Sequence, residues 1–133
     1  IIEHVGLPRL DDFCWIATQE SNVYAGTSVA MAFINSRPKY FGEIMANLLF
    51  WLGEDKILFG SDYAIWSPRW IIEKFMAFDL SDDIKEEFKV ELTPAVKRKI
   101  LGENAARLYG IDIPARQEKL AHDKIGQQLA GAV

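Results

Sequence analysis

The order of apolar segments in this sequence predicts an α/β fold with parallel strands. Short runs rich in β-branched and aromatic residues, near residues 1–5, 23–28 and 56–60, alternate with segments that repeat apolar residues at helical spacing. The third run is continuously apolar over residues 57–59, as in strands that are covered on both faces. Strands that alternate with helices in this way run parallel and are joined by right-handed crossovers. Three such strands form only part of an α/β domain.

Two helices are predicted in the first half of the chain. Asp11 and Asp12 place negative charge at the start of the first helix, and the Ser21-Asn22 pair ends it. Pro38 can occupy the first turn of the second helix. The second helix is indicated by apolar residues at spacings of three and four, namely Phe41, Ile44, Met45, Leu48, Leu49 and Leu52. Residues 35–36 are assigned to a loop.

The second half predicts shorter helices and a polar end. One helix begins at Pro68, a charged helix covers about residues 81–90, and Thr93-Pro94 has the composition of a helix N-cap followed by the first helical position. Gly102 is expected to interrupt the helix that follows. We therefore divide the chain into an α/β part, residues 1–112, and a C-terminal helix or tail, residues 113–133.

Composition excludes several classes of protein. The chain has 133 residues, 50% of them hydrophobic and 26% charged, which fits one globular domain and excludes general disorder. A net charge of −4 argues against a nucleic-acid partner. One cysteine, Cys14, excludes a disulfide framework, and no apolar run is long enough for a membrane span. We expect a cytoplasmic protein. Because the chain begins Ile-Ile-Glu-His without methionine, we also expect a longer parent polypeptide.

His4 and Asp62 are the candidate catalytic residues, since His4 lies at the end of the first predicted strand and Asp62 follows the third. In parallel α/β architectures, chemistry gathers at the carboxyl ends of the strands. A carboxylate there can bind a divalent metal and accept a proton from an attacking water, and an imidazole can bind zinc or hydrogen-bond to a substrate carbonyl. The alternatives are that Asp62 caps a turn and that His4 is satisfied by a neighbouring loop.

Other polar and aromatic residues carry weaker signals. Trp66 and Arg69 follow Asp62 and could line a substrate pocket, with Arg69 meeting a carboxylate; alternatively they cover the rim and form a surface ion pair. Thr27 and Ser28 lie at a strand end, where hydroxyl groups usually cap helices. Cys14 lies on an apolar helix face and is interpreted as a core residue.

Four segments occur in a characteristic order: EHVGLPRLDDF, NVYAGTS, DKILFGSDYAIWSP and VKRKILGENAARLYGI. Together they resemble the C-terminal part of the amidohydrolase-related proteins, the amidohydrolase 2 branch of the metal-dependent hydrolases, over about residues 2–112. The most specific parts are the strand end ILFGSDY and the closing helix ILGENAARLYGI. One departure is Ala64, where the family motif often has proline after the aromatic residue.

This resemblance implies that the chain is the C-terminal portion of a (β/α)8 TIM-like barrel, carrying barrel strands 6 to 8 and their helices. His4 then matches the histidine at the end of strand 6, which meets the substrate or, in some relatives, supports the metal centre. Asp62 matches the strand 8 aspartate, a metal ligand and proton shuttle, and Asn104 matches a structural asparagine. The family's other ligands, a His-x-His on strand 1 and a histidine on strand 5, are absent from the chain.

The resemblance therefore implies part of a metal-dependent hydrolase that attacks an amide, ester or lactone carbonyl with a metal-activated water. The expected cofactor is a divalent metal, zinc, whose ligands lie mostly outside this chain. Within the family, the alternative is a non-oxidative decarboxylase; outside it, the alternative is a non-catalytic half-barrel that binds a partner protein. In each case the expected partner carries barrel strands 1 to 5, the expected assembly is oligomeric, and the chain alone is expected to be inactive.

Overall fold

The computed structural model describes residues 1–63 and 66–130 and shows a mostly helical α/β fold. A tight turn at Glu3–Gly6 is followed by α1 (Leu10–Gln19), β1 (Ala25–Gly26), α2 (Ser28–Ser36), α3 (Pro38–Leu52) and β2 (Ile57–Leu58). After β2 come α4 (Pro68–Ala77), α5 (Asp82–Phe88), α6 (Pro94–Arg98), a π-helical turn (Lys99–Glu103), α7 (Asn104–Leu108), α8 (Ile113–Ala121) and α9 (Lys124–Ala130). Two predictions involve residues outside the described ranges. The departure from the family motif concerns Ala64, and the C-terminal helix or tail includes residues 131–133.

The sheet is parallel, as the sequence predicts, but much smaller than expected. β1 pairs with β2 in parallel, with Ala25 opposite Ile57 and Gly26 opposite Leu58. The predicted first strand, residues 1–5, is reduced to a single parallel bridge between Ile2 and Ala25. The three segments therefore lie side by side with β1 in the middle.

The prediction of a strand over residues 1–5 is wrong because the backbone turns directly after Ile2. His4, Val5 and Gly6 all have positive φ angles, 60°, 48° and 71°, which no strand contains. The prediction of a strand as far as residue 28 and a loop at residues 35–36 is also wrong. Helix α2 begins at Ser28 and buries Ala30, Met31 and Ile34, so that burial of one apolar helix face prevails over the β-branched composition.

Helix α3 contributes more residues to the core than any other element of the described chain, and its predicted apolar stripe is confirmed. All six residues of that stripe are buried. Phe41 packs edge-to-face against Phe75 and Phe78, with ring centroids 6.2 and 4.9 Å apart, which joins α3 to α4 and to the segment after it. The other large side chains that are fully buried come from helices and β2: Met31, Ile44, Met45, Leu48, Ile57, Ile71 and Ile100.

The end of the fold differs from expectation at Gly102. The helix does not break there; it continues from α6 through the π-helical turn into α7. The predicted Thr93 cap is confirmed, since its hydroxyl oxygen accepts a 3.2 Å hydrogen bond from the Val96 N–H. Among the described residues, no helix has both the length and the apolar character that a bilayer span requires.

Candidate functional site

The carboxyl ends of the three parallel segments lie at the same end of the sheet, which we call its carboxyl end. Because Ile2, β1 and β2 run in the same direction, the residues that follow each of them emerge on the same side. His4 is the second residue after Ile2, Ser28 is the second after β1, and Asp62 is the fourth after β2. The topology therefore places both candidate catalytic residues at the carboxyl end of the sheet. The segments that precede them lie on either side of β1.

His4 and Asp62 share an uncommon backbone conformation. Their φ angles are 60° and 54°, in the left-handed region. This conformation is unfavourable in free energy for every residue except glycine. The neighbour of His4, Val5, also has a positive φ, 48°, and its side chain is completely buried. Packing of Val5 thus holds the turn in a strained form. Strained backbone of this kind is concentrated at functional sites.

The hydroxyl groups after β1 connect the three segments at the carboxyl end of the sheet by hydrogen bonds. The buried Thr27 side chain donates a 3.0 Å hydrogen bond to the Leu58 carbonyl and accepts a 3.2 Å hydrogen bond from the Gly60 N–H. Thr27 therefore bonds the ends of β1 and β2 and is a structural residue. Ser28 opens α2 and donates its hydroxyl hydrogen to Glu3 at 2.7 Å.

Glu3 also lies at the carboxyl end of the sheet, although the sequence analysis did not select it. Its carboxylate lies against Gly26, where an added Cβ would approach the Glu3 carboxylate atoms to 2.5–2.9 Å. A Cβ at Gly60 would likewise lie 2.4 Å from the Ser28 hydroxyl oxygen and 3.1 Å from the Ser28 backbone. Two glycines thus leave the space that the Glu3–Ser28 pair fills. The available signal was the position of Glu3 beside His4, at a strand end.

Trp66 and Arg69 lie after Asp62, as expected, but Arg69 has a partner of its own. Its Nε donates a 2.9 Å hydrogen bond to the Glu73 carboxylate one turn later on α4, and both side chains are largely exposed. Trp66 is half-buried and packs against the hydrophobic core. Their assignment to substrate binding remains a prediction.

The described residues do not by themselves fit a metal ion. Across residues 1–63 and 66–130 there is no group of three or more His, Cys, Asp or Glu side chains that could hold one. His122 follows α8 in the exposed C-terminal part, and Cys14 is buried in the core. Burial, with the Asp11 carboxylate as a smaller cause, raises the pKa of the Cys14 thiol to about 11.

Comparison with known proteins agrees with the resemblance read from the sequence. A family model described as Amidohydrolase matches residues 1–111. This family is enzymatic, is built on the TIM-barrel fold and generally uses divalent metals in hydrolase or decarboxylase-type reactions. Neither a search of curated proteins nor a search of solved structures returned a significant match. Since the family model covers most of the sequence, the chain belongs to the amidohydrolase family.

Proposed function

We propose that this chain is the C-terminal portion of a metal-dependent hydrolase barrel that acts on an amide, ester or lactone carbonyl. The observation that supports this most directly is the shared conformation of His4 and Asp62. Both lie at the carboxyl end of the sheet, after parallel segments, and both have a left-handed backbone conformation. A structural turn needs only one such residue and usually uses glycine. Here two residues other than glycine have this conformation at the same end of the sheet. This favours a catalytic role for both.

In the proposed reaction, Asp62 and His4 have different tasks. The Asp62 carboxylate accepts a proton from the water that attacks the carbonyl carbon, and it passes this proton to the leaving nitrogen or oxygen as the bond from that atom to the carbonyl carbon breaks. The His4 imidazole donates a hydrogen bond to the carbonyl oxygen, where negative charge develops as the water adds. Trp66 and Arg69 are proposed to line the substrate side of the site. For Arg69 this requires release of its ion pair with Glu73, an exposed pair that contributes little stability.

A complementary segment is proposed to complete the site. Asp62 is the ligand that this chain would contribute to a zinc ion, and the remaining ligands would come from the segment that carries barrel strands 1 to 5. The exposed side of Ile2 supports such a partner. Ile1 and Ile2 are 49% and 46% exposed, and beside them lies a cleft of about 280 Å³ lined by apolar groups of Phe13, Ile16 and Val23.

Metal analysis and activity assays on two forms of the protein test this proposal. We expect the 133-residue chain alone to retain no stoichiometric zinc and to hydrolyse none of a panel of amides, esters and lactones. A longer polypeptide or complex that contains the missing strands should do both. In that assembly, Asp62→Asn should lower kcat by at least about 100-fold, since general-base groups contribute this much. Asp82→Asn, in the first turn of α5, is the matched control and should leave kcat unchanged.

Three results would contradict the proposal. A well-behaved monomer of the isolated chain that holds stoichiometric zinc would show that no complementary segment is needed. Full activity of Asp62→Asn in the complete assembly would remove Asp62 from the reaction. If the assembly forms but neither binds metal nor turns over any substrate, the non-catalytic half-barrel is the better interpretation. The incomplete metal ligand set among the described residues favours that alternative.

A further inference from the structure

The edge of β2 that faces away from β1 is covered by the helical segment after α6. The Lys56 and Leu58 carbonyls accept hydrogen bonds from Ala25 and Thr27, so the Ile57 carbonyl and the Phe59 N–H face outward. The Phe59 N–H donates a 2.9 Å hydrogen bond to the Ile100 carbonyl, and the Ile57 carbonyl accepts a 2.9 Å hydrogen bond from Asn104 Nδ2. Both of these outward-facing groups of β2 are therefore already hydrogen-bonded.

The π-helical turn explains why the Ile100 carbonyl is free to do this. In an α-helix, that carbonyl would accept the hydrogen bond of the Asn104 N–H, four residues later. In the structure, the Asn104 N–H bonds to the Lys99 carbonyl instead, five residues back. The helix thus contains one extra residue per turn at this point, and the carbonyl that it releases is the one that Phe59 uses. Such turns are rare and occur mostly as single insertions in α-helices.

The covering segment is also fixed in place on both sides of the turn. Ile100 and Asn104 are completely buried. The Asn104 side chain donates a second hydrogen bond, 2.7 Å long, to the Glu54 carbonyl, and Lys99 forms ion pairs with Glu54 and Asp55 just before β2. These contacts hold the turn against the start of the strand that it covers.

We propose that the π-helical turn Lys99–Glu103 is a built-in cover for the outer edge of β2, and that it must return to α-helical hydrogen bonding before another strand can pair there. Unpaired strand edges are templates for association with other chains. The cover therefore protects β2 from edge-to-edge contact between copies of the chain, and it must open before barrel strand 1 of the complementary segment can pair with β2. This inference is independent of the reaction that the assembled protein catalyses.

The first test needs no variant. A scalar coupling measured by NMR between the Phe59 amide nitrogen and the Ile100 carbonyl carbon reports this hydrogen bond directly in the 133-residue chain. We expect a measurable coupling, together with slow hydrogen exchange of the Phe59 amide. The absence of the coupling, with exchange at Phe59 as fast as at an exposed turn, would overturn the proposal.

The second test removes the extra residue. Deletion of Gly102 restores the α-helical register, so that the Ile100 carbonyl accepts from the Ala105 N–H and Phe59 loses its acceptor. We expect hydrogen exchange at Phe59 to become about tenfold faster, the change that the loss of one hydrogen bond gives. Light scattering should show a larger mean mass than for the wild-type chain at the same concentration.

Gly102→Ala is the matched control for the deletion. A Cβ at this position meets nothing within 4 Å, so this variant keeps the length of the turn and should keep the protection of Phe59. A folded deletion variant in which Phe59 stays protected would overturn the proposal, and so would one that exposes Phe59 without any increase in mass. If the deletion variant does not fold, the scalar coupling in the wild-type chain decides.

Discussion

The hydroxyl group of Ser28 donates a 2.7 Å hydrogen bond to the carboxylate of Glu3, which joins the first turn of α2 to the residue before His4. This pair links the end of β1 to the end of the Ile2 segment. Because Gly60 lies against Ser28, all three segments of the sheet meet at this point. The position of His4 therefore depends on contacts made by its neighbour.

We expect Gly60→Ala to destabilise the chain by about 1–3 kcal/mol, because the new Cβ would overlap the Ser28 hydroxyl oxygen and press on its backbone. Urea unfolding followed by circular dichroism measures this change. Gly102→Ala, where the space is open, should be neutral or stabilising. Equal stability of the two alanine variants would contradict the close approach of Gly60 to Ser28.

Replacement of His4 or Asp62 by glycine should stabilise the folded chain by about 1 kcal/mol each, because glycine removes the cost of a left-handed backbone. Lys89→Gly, which changes another left-handed residue at the end of α5, is the positive control. Glu87→Gly, within α5, should destabilise the chain by up to about 1 kcal/mol. The same substitutions at His4 and Asp62 should abolish activity in the complete assembly. A loss of stability at both residues would show that their backbone is not strained.

Asn104→Asp should destabilise the chain by about 2–4 kcal/mol at pH 7. The buried Asn104 side chain donates to the Glu54 and Ile57 carbonyls, and an ionised carboxylate would face both oxygens without a hydrogen to donate. Thermal unfolding at pH 7 checks this prediction. Asp112→Asn, which alters the exposed N-cap of α8, is a control of opposite charge change and should cost at most about 1 kcal/mol. A small effect at Asn104 would show that its two hydrogen bonds contribute little.

Stability should fall in acid partly through Asp55. The hydrogen bond from Lys99, and then that from Arg107, hold the pKa of this carboxyl below its ordinary value of 3.8. A lowered pKa in the folded state gives stabilisation that is complete above about pH 4 and is lost as the pH falls through the lowered value. Asp55→Asn should therefore be less stable than wild type at pH 7, and the difference should shrink below about pH 4. Urea midpoints between pH 7 and pH 2 test this, and a difference that is constant with pH would contradict it.

The long amphipathic helix and the capped start of α6 were predictable, since their determinants are local. The apolar repeat from Phe41 to Leu52 contains the whole buried face of α3, and Thr93 caps α6 as its sequence predicts. The sequence also predicted that the segments before His4 and Asp62 run parallel, because apolar runs that alternate with helices indicate parallel strands.

Features that depend on distant contacts were not predictable. Val5 has a β-branched side chain that disfavours positive φ, and only its burial in the folded core holds it there. The π-helical turn has no local signal, since it depends on the Phe59 N–H, which lies 41 positions before Ile100 in the sequence. Glu3 was missed because its partner, Ser28, was assigned to a strand and not to the first turn of a helix.

The buried Cys14 makes the chain well suited to site-directed labelling. With a thiol pKa of about 11, only about one molecule in ten thousand carries the reactive thiolate at pH 7, and the thiol is also enclosed by the core. Maleimide reagents should therefore leave the native protein unmodified. A single cysteine introduced at an exposed position, such as Ser36→Cys, would carry a fluorophore or spin label selectively. Distances to a labelled partner segment could then be measured without removal of the native thiol.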